Sequence, residues 1–157
     1  IGLGGPSGAD AAAVAAAGLV VGVPEVGVSP PAGGTQLVGV ETWFWVDGVE
    51  AVSASASLPG VSATVVASPA TLHLVFGDGS RLDCPGRGRA YEVGRSAVGQ
   101  VTDCGHVYDA WGDVVVEASL DWVVTWSAST GESGVLPMIV RTTSIPLHVE
   151  EAQAVTD

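Results

Sequence analysis

The sequence predicts an all-β fold, an antiparallel β-sandwich preceded by a short helix. Apolar and polar residues alternate in several short runs after residue 34, the pattern of strands that bury one face. Gly, Pro and Asp turn signals separate these runs at regular spacing, which favours a sandwich over alternating strands and helices. With 157 residues, 47% of them hydrophobic, the chain can bury one core and is too apolar to be disordered.

Residues 1–34 differ from the rest, and we predict that they form an N-terminal segment before a β-sandwich domain of residues 35–157. Ser7 and Asp10 have the spacing of a helix capping box, and an Ala-rich run that ends at Gly18 follows them. A short helix is therefore expected near the start of the chain. A helix of about ten residues is marginal alone in water, so it needs a packing partner.

Leu19, Val21 and Val23 alternate in a short extended stretch that leads into a connector rich in Pro and Gly. Two interpretations of this N-terminal segment stay open. It is either a linker towards a membrane anchor or another domain, or an arm that adds a strand to the sheet edge of a neighbouring copy. In the second case these three residues form the candidate arm strand.

Strands are expected at residues 36–46, 49–58, 61–67, 71–76 and 113–127, with residues 138–149 as the hairpin partner of the last. The Ser68-Pro69 pair is interpreted as the turn between the third and fourth strands. The run at 113–127 is the clearest, because every even position from Val114 to Trp126 is apolar. It should bury one face and expose the other, as strands of antiparallel sheets do.

A Gly77-Asp78-Gly79 turn follows the fourth strand. The two glycines allow positive φ angles, and an aspartate side chain can bond the backbone two residues on, so a structural turn is predicted. The alternative is that Asp78 helps to hold calcium with Asp83 or Asp103, but the chain has no EF-hand spacing.

The order of these motifs resembles the PKD domain. The motifs are Phe76-Gly77-Asp78-Gly79, His106-Val107-Tyr108, Gly112 and a final alternating strand. The resemblance covers roughly residues 49–149 and implies an immunoglobulin-like β-sandwich in which His106 is structural. Ser29-Pro30-Pro31 followed by the Glu41–Asp47 run is similar to secreted actinobacterial proteins that carry this sandwich, and the Ala-, Gly- and Val-rich composition fits such a source.

Cys84 and Cys104 stand at the two ends of a Gly- and Arg-rich stretch. A disulfide would close a loop of about 20 residues and stabilise the fold by roughly 3 kcal/mol. Free thiols and half of a metal site are the alternatives, but there is no Cys-x-x-Cys motif and no nearby His pair. A disulfide implies an oxidising compartment, so we expect an extracellular or cell-surface protein. Because the chain begins with Ile1, any signal peptide is expected to have been removed.

The chain carries a net charge of −12 from 17 acids and five arginines, with no lysine. Nucleic acid is an unsuitable partner, because phosphate binding needs a basic footprint. The absence of lysine excludes Schiff-base chemistry, and the absence of asparagine excludes N-glycosylation sequons. No apolar run reaches 18 residues, so membrane attachment is expected only through an anchor outside this chain.

Catalysis has little support in the sequence. His73, His106 and His148 are far apart, and none accompanies a Gly-x-Ser-x-Gly motif. No His-x-x-x-His pair or clustered carboxylate motif predicts a metal site. We therefore expect no enzymatic activity, no metal and no cofactor.

Five residues are candidates for partner binding: Arg81, Arg87, Arg89, Arg95 and Trp111. The four arginines fall within 15 positions around the cysteine stretch of an otherwise acidic chain. They are either a solvated surface balanced by nearby acids, or a patch that recognises carboxylates of a protein or an anionic cell-wall polymer. Trp111 lies in a turn and is expected to be exposed.

The leading functional hypothesis is a secreted, non-enzymatic interaction module of the cell envelope. The alternative is a structural subunit of an extracellular filament or other surface assembly, joined through the N-terminal arm. A third hypothesis is an accessory domain of a secreted hydrolase.

Overall fold

A computed structural model of the chain describes residues 4–151, which form one helix and nine strands. The helix is α1 (Gly8–Ala17). The strands are β1 (Val26–Ser29), β2 (Thr35–Leu37), β3 (Glu41–Val46), β4 (Val52–Leu58), β5 (Val61–Val75), β6 (Arg81–Cys84), β7 (Gly105–Val107), β8 (Gly112–Ala128) and β9 (Ser133–Glu150). The all-β prediction is confirmed at this level, including the short N-terminal helix. No helix between residues 4 and 151 is long and apolar enough to cross a membrane.

The strands form two sheets. One has three strands in the order β1-β3-β7, and the other has the order β2-β9-β8-β5-β4, with β6 also paired to β5. The pairs β1–β3, β3–β7, β4–β5 and β5–β6 are antiparallel, whereas β2 runs parallel to β9 with Thr35 opposite His148. The expected purely antiparallel arrangement is therefore wrong at this edge, where the sheet is mixed.

The chain divides into two compact units that do not follow a boundary at residue 34. The first unit contains the described chain up to residue 22 with residues 50–70 and 121–141. The second contains residues 23–49, 71–120 and the described chain from residue 142. The division into an N-terminal segment and a residue 35–157 sandwich domain stays a prediction.

In the first unit, α1 packs against β4 through its alanines. The capping box is present, since Ser7 Oγ accepts from Asp10 N at 3.1 Å and Asp10 Oδ2 accepts from Ser7 N at 2.8 Å. Ala11 and Ala12 are fully buried, so the weak intrinsic stability of this short helix is supplemented by tertiary contact.

The stretch after α1 lies outside the strands of the structure. Val21 is buried, and its carbonyl accepts a hydrogen bond from Arg141 Nε at 2.9 Å. Leu19 is half-buried and Val23 is exposed, so the three residues do not share one face. The N-terminal segment thus packs on its own chain, and docking of the same stretch on a second copy stays a prediction.

The expected turn at Ser68-Pro69 is wrong, because β5 continues through it. Antiparallel pairing with β4 ends at Ala67, and pairing with β6 begins at Leu72. Pro69 therefore lies in a gap where neither strand lines that edge of β5, and its missing N–H removes no bond to them. The prediction for 113–127 is confirmed by β8, in which Val116, Ala118, Leu120, Trp122 and Val124 are all buried.

The second unit contains two strands where one was expected at residues 36–46. The chain turns after β2, with Val40 N donating to Leu37 O at 3.2 Å, and β3 then joins the other sheet. The Pro- and Gly-rich connector also contains a strand that was not predicted, β1, whose Val28 pairs with Phe44. The core of this unit includes Phe44, Phe76 and Tyr108, with the two Phe ring centroids 5.5 Å apart.

Candidate functional site

A disulfide joins Cys84, at the end of β6, to Cys104, immediately before β7. Both cysteines are fully buried, with their Cα atoms 5.3 Å apart, so the predicted bridge is confirmed. It closes the segment of residues 85–103, which we call the cysteine loop. The bond therefore fixes the two ends of this loop inside the core of the second unit.

The base of the cysteine loop is also hydrogen-bonded to β3. Val46 N donates to Arg87 O at 2.9 Å, and Phe44 N donates to Cys104 O at 3.0 Å. Between these bonds Gly88 forms a β-bridge with Trp45. A Cβ atom on Gly88, whose φ is 72°, would lie 2.4 Å from Phe44 O, so the close approach requires glycine.

The outer part of the loop is held by bonds within itself. Gln100 accepts from Glu92 N at 3.0 Å, and its amide donates to Glu92 O at 3.2 Å and to Ser96 O at 3.0 Å. Arg95 pairs with the Glu92 carboxylate. The loop is consequently a structured element on a fixed base, and binding to it would order few residues.

The structure places the four candidate arginines in different environments. Arg87 uses its guanidinium to bond Val49 O, so it supports the fold. Arg95 forms the ion pair with Glu92 described above. Arg89 is exposed and makes no hydrogen bond or ion pair with the described residues. Arg81 lies outside the cysteine loop, on β6 opposite Val75, and is also exposed.

Three valines of the cysteine loop are also exposed. Val93 and Val98 each expose 90% of their surface, and Val101 exposes 67%. Such side chains contribute little to folding when solvated, but they gain from burial against a partner at roughly 25 cal/mol per Å² of apolar surface. The cysteine loop therefore combines guanidinium groups with apolar groups, a mixture suited to a protein or polymer interface.

Trp111 is 70% exposed, and it lies outside the cysteine loop. It lines a shallow cleft of about 630 Å³ with His148, Glu150 and Glu151. His148 Nδ1 lies 2.6 Å from Asp113 and its Nε2 lies 3.0 Å from Glu150. These hydrogen bonds, the one to Asp113 first, raise the pKa of His148 above its ordinary value.

The Gly77-Asp78-Gly79 segment forms a tight turn. Gly77 and Gly79 have φ angles of 84° and 93°, and Ser80 N donates to Asp78 Oδ1 at 3.0 Å. Asp78 Oδ2 lies 2.6 Å from His106 Nε2, and the Ser80 hydroxyl bonds the other oxygen of the same carboxylate. Both carboxylate oxygens of Asp78 thus have hydrogen-bond partners within the protein.

His106 sits between aromatic rings at this turn. Its ring stacks on Phe76 at 4.1 Å with an interplanar angle of 4°, and it meets Tyr108 edge-on at 4.6 Å. Tyr108 in turn donates its hydroxyl to Phe76 O at 3.0 Å, and burial raises the pKa of that hydroxyl. We call the Asp78–His106 contact with these rings the turn latch.

The turn latch brings Ser80, His106 and Asp78 together without the geometry of a catalytic triad. Ser80 Oγ lies 3.2 Å from the same His106 nitrogen that contacts Asp78. In a triad the two partners bond opposite nitrogens of the imidazole, so that the ring can move a proton between them. These contacts instead hold the turn at Asp78 in place against His106.

The carboxylates proposed as alternatives for calcium do not converge on Asp78. Asp83 pairs with His73 Nδ1 at 2.6 Å, and Asp103 lines a small cleft beside Cys104. Between residues 4 and 151 there is no group of three or more His, Cys, Asp or Glu side chains that could hold a metal ion.

Sequence reasoning missed both the turn latch and the attachment of the cysteine loop to β3. Asp78 and His106 are 28 positions apart, and Trp45 and Gly88 are separated by even more of the chain, so no local pattern links them. No family model and no curated protein matches this chain.

Proposed function

We propose that the protein is a secreted, non-enzymatic interaction module of the cell envelope, with the cysteine loop as its recognition surface. The observation that carries this proposal is the contrast between the base and the tip of the loop. The buried disulfide and the contacts to β3 fix the base. Arg89, next to the Gly88 bridge, makes no hydrogen bond or ion pair within residues 4–151, and Val93 and Val98 further along the loop are 90% exposed. A rigid base with a solvated tip is the usual arrangement of binding loops.

The scaffold in this proposal is an immunoglobulin-like sandwich of the PKD type. Two β-sheets, the glycine-bounded turn at Asp78 and the aromatic setting of His106 support that assignment. The disulfide supports a place outside the cytoplasm, because buried structural disulfides form and persist in oxidising compartments.

The partner in this proposal presents carboxylates or other anionic groups to the loop. Within residues 4–151 the Arg89 guanidinium has no ion-pair partner. Arg95 can exchange Glu92 for a partner's carboxylate, because a surface pair of this kind is worth only about 0–1 kcal/mol. Acidic protein surfaces and anionic cell-wall polymers both carry such groups. The net charge of −12 would repel a polyanion elsewhere on the chain, which confines its contact to this loop.

Self-assembly through the N-terminal segment is the second candidate. Val20 and Val23 expose 83% and 66% of their surface on either side of the buried Val21. This stretch has no secondary structure of its own, so its backbone could add as a strand to a sheet edge of another copy and bury the two solvated valines. Light scattering at high protein concentration separates this candidate from a monomeric module.

Charge reversal in the loop tests the proposed function. Arg89→Glu should weaken binding to an isolated cell-envelope fraction and to a Glu-rich peptide by about tenfold, while the melting temperature stays within about 2 °C of wild type. Arg81→Glu makes the same charge change outside the loop and serves as the matched control. Equal weakening by both variants would extend the surface to β6, and unchanged binding by both would reject the loop as the recognition surface.

A further inference from the structure

A second feature of the cysteine loop is a cleft that it forms with β1 and β3. The cleft has a volume of about 440 Å³, within the usual range for ligand sites. Its lining includes Trp43, Tyr91, Glu41, Ser29, Val40 and Pro30. Gln100, whose hydrogen bonds hold the outer part of the loop together, supplies one wall. The cleft is therefore present without a ligand.

Two aromatic rings form a corner in this cleft. The ring centroids of Trp43 and Tyr91 are 5.1 Å apart, with an angle of 88° between the ring planes. Trp43 exposes only 5% of its surface and Tyr91 is half-buried, so Tyr91 offers the larger part of the aromatic surface at the cleft. Ring faces carry negative electrostatic potential and attract cations.

An acidic residue, Glu41, also lines this cleft. Glu41 is exposed, and its side chain makes no hydrogen bond or ion pair with the described residues. It packs over Gly105, where a Cβ atom would approach the Glu41 carboxylate to 2.8 Å. β7 thus lies against the Glu41 carboxylate without neutralising its charge.

We propose that this cleft binds a cationic side chain, the ammonium or guanidinium group of a protein partner. The aromatic corner and the unpaired Glu41 carboxylate complement one positive charge, and Ser29 and Val40 bound the space for its aliphatic stem. The chain has no lysine, and none of the residues that line the cleft is an arginine, so the cation comes from the partner.

This inference deepens the proposed function and rests on it. A partner that satisfies both Arg89 and Glu41 carries acidic and basic groups side by side. A protein surface offers that combination, whereas a uniformly anionic polymer would meet repulsion at Glu41. The cleft therefore selects a protein as the partner of the cysteine loop.

The test is a titration of the intact protein, labelled with ¹⁵N, with blocked arginine amide and blocked lysine amide. Blocked citrulline amide, a neutral isostere of arginine, is the matched probe, and N-acetylglucosamine tests for a sugar site. We expect both cationic probes to shift the Trp43 indole and Tyr91 amide signals, and citrulline to bind at least about threefold more weakly. Glu41→Gln should weaken arginine binding by a similar factor, whereas Glu25→Gln removes the same charge from another exposed site and should not.

Equal binding of citrulline and arginine would overturn the proposal, as would shifts caused by the sugar alone or by none of the probes. The outcome is separable from the test of the proposed function. Partner binding that depends on Arg89, without any probe binding, rejects the cleft and keeps the loop. Probe binding that depends on Glu41, with partner binding indifferent to Arg89, keeps the cation site and rejects the loop as the carboxylate-binding surface.

Discussion

His106 Nε2 lies 2.6 Å from Asp78 Oδ2, and this contact joins the turn after β5 to β7 across 28 positions of the chain. The pair stands beside Phe76, whose carbonyl receives the Tyr108 hydroxyl. The turn that opens β6 and the strand that follows the cysteine loop are therefore fixed to each other by a polar contact in an aromatic setting. This turn latch has a structural role and positions both ends of the candidate site.

Loss of the Asp78 side chain should destabilise the fold. Asp78→Ala removes the bonds to Ser80 and His106, and we expect the free energy of unfolding to fall by about 1–2 kcal/mol. Thermal or urea denaturation measures the loss, and Asp109→Ala, at an exposed position outside the latch, is the control. Calcium should leave the melting temperature of the wild type unchanged; a calcium-dependent rise that Asp78→Ala abolishes would instead identify a metal site.

The stability that the Asp78 side chain contributes should depend on pH in the acidic range. Burial acts to raise the pKa of Asp78, but hydrogen bonds from Ser80 and His106 outweigh it and lower the pKa from 3.8 to about 2. A carboxyl with a lowered folded-state pKa stabilises the protein fully above its unfolded value and loses that contribution as the pH falls through the folded value. The difference in melting temperature between wild type and Asp78→Ala should therefore shrink between about pH 4 and pH 2. A difference that stays constant over this interval would contradict the assignment.

The attachment of the loop base can be tested with two glycines of nearly equal backbone conformation. Gly86 and Gly88 have φ angles of 71° and 72°, but a Cβ atom on Gly86 meets open space, whereas one on Gly88 meets Phe44 O at 2.4 Å. Gly86→Ala should cost about 1 kcal/mol through left-handed strain alone. Gly88→Ala should cost about 1–3 kcal/mol more, because the bridge to β3 must open. Equal losses in denaturant titrations of the two variants would show that Gly88 is not held against β3.

The parts of the fold that were predictable are those set by neighbours in sequence. The alternation from Val114 to Trp126 corresponds to β8, and the spacing of Ser7 and Asp10 corresponds to the N-cap of α1. The disulfide followed from the position of two cysteines around one glycine-rich stretch. In each case the pattern and the physical cause lie within one element or one loop.

The parts that were missed depend on partners far away in sequence. Pro69 stays inside β5 because two other strands leave a gap there, and the sequence around it shows only a turn signal. The short strand β1 exists because β3 pairs with it, although its own residues resemble a connector. The aromatic corner of Trp43 and Tyr91 likewise joins a strand to a loop, so no local pattern indicates it.

Replacement of the outer cysteine loop tests the central claim most directly. Gly88 and Val101 line the same small cleft, so residues 89–100 can be exchanged for Gly-Ser-Gly with the disulfide and the Gly88 bridge kept. The measurement is the affinity of this variant for an isolated cell-envelope fraction, with its melting temperature as the control for folding. We predict a melting temperature within about 4 °C of wild type, a change of about 1–2 kcal/mol at most, and at least a tenfold loss of binding. A folded variant that binds as tightly as the wild type would contradict the claim that the cysteine loop is the recognition surface.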